Sequence, residues 1–370
     1  MRTLLLCWLM AMASLPLVAQ IEVPDLPLPD EEEEMPIEDD LPPEEPFVDS
    51  PPPFDTGGYG LFDSEELFEC TIKSDFVTFL ADRSGSAEEQ LAVISYQMPN
   101  GAQMDLPVEI EVRGHYRRDP LVCYFPPIRL DFDKDLTLPA PFMQQNKIKV
   151  VTHCHEDQYI FREYYLYKVY RMFTERSFRV RLARITYQDI NGARPTETRY
   201  GFFIESEEEM AARLGGAPLD DEVPLTSEDV DQTQLAMVHL FNYMIANKDF
   251  DVQVRQNVKI VERSGKKPLV IPYDFDWSGM VNAPYTKLRA ETGPVYEDRQ
   301  RYQPLCLSEE AYAKLIEQFE ARKDKIFALY DQSPYLAEEQ VKEMLGYYTQ
   351  FYRTLSKRKT VREVFRKGCE

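Results

Sequence analysis

Long apolar runs, basic stripes and internal repeats are all missing from this sequence. Beyond residue 20, no segment approaches the roughly 18 consecutive apolar residues that a membrane-spanning helix needs. The 42 Lys and Arg residues are outnumbered by 64 Asp and Glu, the formal net charge is −22, and the basic residues form no continuous stripe. We therefore expect a protein that neither spans a membrane nor binds nucleic acid.

The first twenty residues have the organisation of a secretory signal peptide. Arg2 supplies the positive end, residues 4–17 are mainly apolar, and Val18-Ala19-Gln20 is a suitable cleavage site. The apolar run is too short to predict a membrane span. We expect an exported protein, located in the periplasm, at the cell surface or in the extracellular space.

Residues 21–56 contain fourteen Asp or Glu and ten Pro, with no Lys or Arg. Such a composition buries too little apolar surface to offset the entropy of ordering, so we predict a disordered linker. Either a solvated spacer or an acidic arm for a basic partner fits this composition. When the charges of the linker and of the leader are left out, the remaining residues 57–370 have a formal net charge of −9.

The remaining chain changes from strand patterns to helix patterns. Residues 57–205 contain several alternating segments, such as Val108–Arg113 and Ile128–Phe132, and one helix predicted at about 158–176. Residues 206–370 are mainly helical in pattern. There, Thr226-Ser227-Glu228-Asp229 predicts a capping box that opens a long helix ending near Asn247.

A short hairpin interrupts the helical half and carries its most informative polar residues. The strand 258–261 turns at Ser264-Gly265 into the strand 269–271, and four polar side chains lie around the two strands: Asp249, Asn257, Asp274 and Asp276. Oxygen ligands of this kind suit Mg²⁺. Phosphoryl transfer needs one acid to position the acceptor, with an amide and a second acid to hold the metal.

This stretch resembles the CotH-type atypical protein kinases, a family named after a spore-coat protein. In that family an Asp, seven residues and an Asn precede a strand that ends in D-x-D, which here are Asp249, Asn257, Asp274 and Asp276. The resemblance extends over about Pro107–Gly279. It implies an α+β, two-lobed protein-kinase-like fold. Residues 57–205 would form an antiparallel-sheet N-lobe and residues 206–370 a mainly helical C-lobe with the catalytic hairpin.

The resemblance also implies a function. The protein would transfer the γ-phosphate of ATP to hydroxyl groups of a protein substrate, with Mg²⁺ or Mn²⁺, and would act as a monomer. Asp249 would be the catalytic residue, which positions or deprotonates the acceptor. Asn257 and Asp274 would hold the metal, and Asp276 would assist.

Five further residues are candidates for nucleotide binding by the same resemblance. Arg129, or Lys147 or Lys149 on the next strand, would pair with the phosphates. Glu163 on the predicted helix would orient that cation. Glu205 ends a Y-G-x-F-I-E-like strand that borders the adenine pocket in the family. The identity of the cation stays open at this point.

Two other interpretations fit the same residues. A catalytically silent member of the family, acting as an envelope or surface interaction protein, would have the same composition. Residues 269–278 also resemble the D-x-D-x-T strand end of haloacid-dehalogenase phosphatases. That fold needs alternating strands and helices after the motif, and here only helical patterns follow.

Cysteine and histidine usage bears on a different kind of site. His153, Cys154, His155 and Asp157 resemble metal ligands, but neighbouring strand residues point to opposite faces and no second Cys/His cluster complements them. Five cysteines follow the leader, so at least one is unpaired. We predict a disulfide between Cys123 and Cys154, which flank neighbouring strands.

Overall fold

Seven strands close into a barrel in the computed structural model, which describes residues 60–366 and 369 except for 85–87, 99, 134–137, 144 and 287–304. The strands are β1 (Phe68–Ser74), β2 (Gln90–Gln97), β3 (Gln103–Val112), β4 (Ile128–Asp131), β5 (Lys147–Val151), β6 (Val180–Asp189) and β7 (Glu197–Ile204). Their order around the barrel is β1-β2-β3-β4-β5-β7-β6, and β6 returns to β1. The predicted leader and linker, residues 1–56, lie outside the described residues.

The closed barrel shows that the predicted fold is wrong. We expected a two-lobed protein-kinase-like α+β fold with an antiparallel sheet in its N-lobe. Instead, β1 and β6 pair in parallel, from Phe68 opposite Ala183 to Ser74 opposite Asp189. The other neighbours in the barrel are antiparallel. Alternation along each strand predicts its inward face, but it does not predict which strands meet to close a barrel.

Aromatic side chains fill the barrel. The ring of Phe68 lies 5.6–5.8 Å from the rings of Tyr96, Phe142 and Phe203, in tilted or edge-on arrangements. Aromatic rings prefer such arrangements to direct face-to-face stacking. The interior is therefore a packed core rather than a channel.

A second core lies outside the barrel. The described residues include eight helices: α1 (Phe76–Ala81), α2 (Asp157–Phe173), α3 (Glu207–Arg213), α4 (Gln232–Met244), α5 (Glu309–Glu320), α6 (Lys323–Asp331), α7 (Glu338–Leu355) and α8 (Arg358–Phe365). Helix α1 packs in the barrel core, and the other seven contribute to the second core. Helix α2 packs against β6 and β7. Ten of its seventeen residues are buried, including Arg162 and Glu163. Packing on several sides of the helix therefore buries polar side chains as well as apolar ones.

A three-stranded sheet carries the predicted hairpin. It consists of β8 (Ala217–Pro218), β9 (Val258–Arg263) and β10 (Lys266–Pro272), in the order β10-β9-β8 with antiparallel pairing. The hairpin is confirmed. Helix α4 precedes it but begins at Gln232, with Asp231 as its N-cap. The capping box predicted at Thr226 is wrong, because the Thr226 backbone N–H and hydroxyl donate to Asp229 in a separate turn.

Two disulfides stabilise the chain. The predicted bond between Cys123 and Cys154 is confirmed, and Cys306 bonds Cys369. Among the described cysteines, Cys70 is a free, buried thiol. The described residues belong to one compact unit, within which the subdivision at residues 205 and 206 stays a prediction. Within the part of the chain that the structure describes, no helix is both long enough and apolar enough to cross a membrane.

Candidate active site

The hairpin brings Asn257 and Asp274 to the same end of the small sheet. Val258 of β9 lies opposite Pro272 of β10. One residue beyond this pair, the backbone N–H of Tyr273 donates to the carbonyl of Asn257 over 3.0 Å. Asn257 and Asp274 both have left-handed backbone conformations, with φ of 50° and 58°. Such conformations are uncommon outside glycine, and they occur often at functional sites.

Asp249 and Asn257 are in direct contact. The amide Nδ2 of Asn257 donates to Asp249 Oδ2 over 2.8 Å and to the Asp249 carbonyl over 2.7 Å. The Asp249 backbone N–H donates to Asn247 Oδ1, and Asn247 Nδ2 donates to Asn242 of α4. The end of α4 thus holds the loop that presents Asp249.

Three carboxyl groups converge beyond the end of β10, and we call them the acidic cluster: Glu163, Asp274 and Asp276. Arg117 joins two of them, with Nη2 at 3.7 Å from Asp274 Oδ1 and Nε at 3.5 Å from Asp276 Oδ2. The hydroxyl of Tyr285 donates to Asp276 Oδ2 over 2.8 Å. Glu163 and Asp276 are buried, with exposed fractions of 2% and 3%. The structure therefore brings together residues from α2, the β3–β4 loop and the hairpin.

Each member of the acidic cluster has one buried oxygen without a hydrogen-bond partner among the described residues. These atoms are Glu163 Oε1, Asp274 Oδ1 and Asp276 Oδ1. The contacts of Arg117 are longer than hydrogen bonds, which join N and O over about 2.7–3.2 Å. A buried oxygen that lacks a partner is costly. Such an oxygen is suited to a cation.

Burial also changes the protonation of the cluster. Burial, together with the negative charge of Asp274, raises the pKa of Asp276 to about 8. The pKa of Glu163 is raised well above its usual range by burial and by the charges of Asp276 and Asp274. Burial therefore favours the protonated forms of both carboxyl groups. A divalent cation must displace protons to bind, so its affinity should rise with pH.

The predicted metal ligands would supply only part of the coordination shell of Mg²⁺. In the described part of the chain, no group of three or more His, Cys, Asp or Glu side chains is arranged to hold a metal by itself. Mg²⁺ usually takes one or two carboxylates and completes its shell with waters and phosphate oxygens. Asp274, Asp276 and the amide of Asn257 provide that kind of incomplete shell.

Of the two main candidates for the phosphate-binding cation, Lys149 lies at this site. Its Nζ is 5.1 Å from the ring centroid of Tyr273. Burial, and then the charge of Arg113, lowers the pKa of Lys149 to about 8. Arg129 lies opposite Lys149 in the barrel, but its guanidinium pairs with Glu111 over 2.6 Å.

Glu205 belongs to a separate buried ion network. Arg179 Nε donates to Oε1 and Arg213 Nη2 donates to Oε2, each over 2.8 Å. Arg179 also pairs with Asp63 and Glu209. Burial opposes ionisation, yet the hydrogen bond and charge of Arg213 lower the pKa of Glu205. The structure thus places Glu205 among arginines rather than in the acidic cluster. Its contact with a nucleotide stays a prediction.

The residues that resembled zinc ligands have other partners. Cys154 is in the disulfide with Cys123, the ring Nε2 of His155 lies 2.8 Å from the Val122 carbonyl, and Asp157 Oδ1 accepts from the Tyr200 backbone N–H. His153 is fully buried between aromatic rings. These contacts explain the residues without a metal.

Three residues at the site were missed in the sequence. Arg117 is one of several basic residues in its loop, and the sequence does not distinguish it from Arg118. Tyr167 accepts a hydrogen bond from the Asp274 backbone N–H over 2.7 Å, and Tyr285 is bonded to Asp276. Both tyrosines are typical of core positions in sequence. Only the fold turns their hydroxyl groups toward the acids.

A large hollow in the barrel wall lies elsewhere. It has a volume of about 950 Å³, and its wall includes Cys70, Tyr96, Arg181 and Thr198 of the barrel. The acidic cluster is distinguished by its chemistry rather than by a large cavity. We therefore base the functional argument on the cluster.

Comparisons with known proteins assign no family. No family model matches the sequence, and no curated protein matches it. A distant structural neighbour is the Helicobacter pylori proinflammatory kinase CtkA, with 10% sequence identity and a TM-score of 0.31, covering 73% of this chain and 90% of that one. A similarity this weak supports no conclusion about fold or function.

Proposed function

We propose that the protein is a kinase that transfers the γ-phosphoryl group of ATP to hydroxyl groups of a protein substrate with the help of Mg²⁺. The observation that carries this proposal is the hydrogen-bonded pair Asp249–Asn257 next to a strand end that delivers Asp274 and Asp276. Catalysis of phosphoryl transfer depends mainly on positioning and on charge stabilisation. Both are available from residues of this site.

Each residue has a defined part in this proposal. Asp249 orients the acceptor hydroxyl and takes its proton, and Asn257 fixes the Asp249 carboxylate. Asn257 and Asp274 would hold Mg²⁺, with Asp276 in support, because two of their carboxylate oxygens lack other partners. When bound, the metal supplies positive charge that neutralises the triphosphate. Lys149 is the cation best placed for the phosphates.

The disulfides support the further proposal that the protein is exported. Disulfides persist mainly in oxidising compartments, such as the periplasm or the cell exterior. The bonds Cys123–Cys154 and Cys306–Cys369 fit such a location. They agree with the apolar leader at residues 1–20.

A catalytically silent interaction protein is the second candidate. It is favoured by the position of Arg117, whose charge already faces both Asp274 and Asp276. The phosphatase interpretation has less support, because β10 pairs antiparallel with β9 whereas that fold requires a parallel sheet. Binding of nucleotide together with transfer of phosphate separates the two remaining candidates.

Thermal unfolding with ATP and Mg²⁺ tests the proposal. A ligand that binds only the folded state at a hundredfold excess over its Kd stabilises it by about 2.7 kcal/mol. For a folded part of about 310 residues this corresponds to roughly 4 °C. ATP without Mg²⁺ should give a smaller shift. Asp274→Asn should remove the part of the shift that depends on Mg²⁺.

Transfer is tested with variants of the loop before β9. Asp249→Asn should keep the thermal shift and lose transfer of labelled phosphate to protein. Asp251→Asn is the matched control, since this exposed carboxylate accepts from the backbone N–H groups of Gln253 and Val254 in the same loop. No shift with ATP or GTP, in Mg²⁺ or Mn²⁺, would refute nucleotide binding. A shift without transfer by the unmodified protein would favour the silent candidate.

A further inference from the structure

Arg117 occupies an unusual position between the two acids proposed as metal ligands. It lies in the loop between β3 and β4 and is buried, with an exposed fraction of 7%. Two of its guanidinium nitrogens face the acids: Nη2 lies 3.7 Å from Asp274 Oδ1, and Nε lies 3.5 Å from Asp276 Oδ2. Its guanidinium carbon also lies 6.0 Å from the ring centroid of Tyr285, the residue that donates to Asp276.

This contact neutralises charge without satisfying the oxygens. Asp274 Oδ1 faces Arg117 and still lacks a hydrogen-bond partner among the described residues, as does Asp276 Oδ1. Both separations exceed the length of an N–H···O bond. The acids are therefore held by a positive charge that is close but not bonded.

We propose that Arg117 is a resident counter-ion of the acidic cluster that competes with a divalent cation for Asp274 and Asp276. This inference rests on the proposed function, because it concerns the same acids. A guanidinium and a divalent cation repel each other strongly at the separations of about 4 Å that sharing the acids would impose. Binding of the metal therefore displaces the guanidinium from at least one of the two carboxylates.

The loop that carries Arg117 is anchored at several points. It begins after β3 at Gly114, whose φ is +83°, and its far end is anchored by the disulfide of Cys123. Between these points, the Tyr116 hydroxyl donates to the Tyr285 carbonyl over 3.2 Å. Residues 114–122 are thus held at both ends and at Tyr116, so displacing the buried Arg117 side chain from the acids should loosen the packing of this segment.

Other charged groups would remain beside Asp274 and Asp276 after the Arg117 side chain is displaced. Glu163 faces the two acids from α2, and Arg113 lies near Asp274 at the start of the same loop. Arg113 is the remaining arginine near Asp274. The structure assigns Arg117 the role of stabilising the metal-free protein and of setting the metal concentration at which the site fills.

Titration with Mn²⁺ alone, without nucleotide, tests the inference. Free Mn²⁺ is measured by electron paramagnetic resonance in the unmodified protein, in Arg117→Met and in Arg118→Met. Arg118 is the matched control, because it lies next in the same loop but lines a different hollow, with Leu80 and Arg83. We expect Arg117→Met to bind Mn²⁺ at least tenfold more tightly, and Arg118→Met to bind as the unmodified protein does.

A second readout is the melting temperature without metal. It should be lower in Arg117→Met than in the unmodified protein, and Mn²⁺ should restore it. Arg117→Lys keeps the charge, so its affinity for Mn²⁺ should stay within about threefold of the unmodified protein. Equal or weaker binding of Mn²⁺ by Arg117→Met would overturn the inference.

Hydrogen exchange of the unmodified protein keeps the test valid if Arg117→Met does not fold. Exchange of backbone amides in residues 114–122 should become faster at saturating Mn²⁺, and an unchanged rate would refute displacement. The outcomes also separate the two proposals. Mg²⁺–ATP binding by the unmodified protein without tighter Mn²⁺ binding in Arg117→Met would sink only the competition. Tighter Mn²⁺ binding without any nucleotide binding would sink only the kinase.

Discussion

The stability of this protein should decrease in mild acid because of one buried histidine. His153 is fully buried against the rings of Phe125 and Tyr187, and neither of its ring nitrogens has a hydrogen-bond partner among the described residues. Glu197 Oε1 lies 3.9 Å from Nε2. Burial lowers the pKa of His153 to about 4, although the charge of Glu197 opposes this change.

The magnitude follows from the linkage between protonation and folding. In the unfolded chain the pKa of a histidine is about 6.5, so below that pH the unfolded state binds a proton that the folded state does not. The stability of the folded state that depends on a neutral His153 is thus fully present above pH 6.5 and is lost as the pH falls towards 4. Between pH 7.5 and pH 5 the loss amounts to about 2 kcal/mol.

Urea unfolding at a series of pH values measures this effect. The free energy of unfolding is compared between the unmodified protein and His153→Phe, which removes the titrating group from an aromatic environment. The unmodified protein should lose about 2 kcal/mol more than His153→Phe between pH 7.5 and pH 5. The exposed His115 provides the control His115→Gln, which should keep the pH dependence of the unmodified protein. Parallel curves for His153→Phe and the unmodified protein would refute the reasoning.

Three further predictions concern folding free energy measured by denaturant unfolding. Glu205→Gln should cost about 3–5 kcal/mol, because it leaves Arg179 and Arg213 buried without their carboxylate. The exposed pair of Glu69 and Arg184 is the control, since Glu69→Gln should change stability by less than about 1 kcal/mol, and equal effects would argue against the buried network. Gly201→Ala should destabilise the barrel, because its Cβ would lie 2.7 Å from the Val151 carbonyl oxygen, whereas Gly346→Ala in α7 meets nothing within 4 Å and should stabilise by about 1 kcal/mol. Loss of stability in both glycine variants would contradict this contrast. Tyr330→Phe should cost about 1–3 kcal/mol, because it leaves the buried Tyr348 hydroxyl without its 2.9 Å partner. The double variant with Tyr348→Phe should cost less than the sum of the single changes, and strict additivity would show that the hydroxyls are not coupled.

Local features of the chain were predictable from the sequence. The hairpin of β9 and β10 follows from two apolar runs around Ser264-Gly265, and the chain order then places Asn257 and Asp274 at one end of it. The bond between Cys123 and Cys154 followed from their positions beside neighbouring strands. The hairpin depends on residues paired by a short turn, and the disulfide joins segments 31 residues apart that flank the adjacent strands β4 and β5.

The helix cap predicted at Thr226 was wrong because the same residues can form either a helix cap or a turn. Thr226 and Asp229 have the spacing of a helix cap, yet they bond to each other in a turn, and Asp231 caps α4 instead. Ser, Thr, Asn and Asp side chains favour caps and turns for the same reason, which is that their oxygens accept from nearby backbone N–H groups. Packing decides between the two structures.

The tertiary structure alone decided the closure of the barrel and the composition of the site. The parallel pairing of β1 with β6 joins segments more than a hundred residues apart, and alternation within a strand contains no information about such a partner. The same applies to Arg117 and Glu163, which arrive at Asp276 from a loop and a helix distant in sequence. Sequence by itself determined which polar groups stand at the end of the hairpin, because a turn makes their proximity local. Which charges surround those groups depends on long-range packing, and the fold therefore determines both the pKa of Asp276 and the counter-ion beside it.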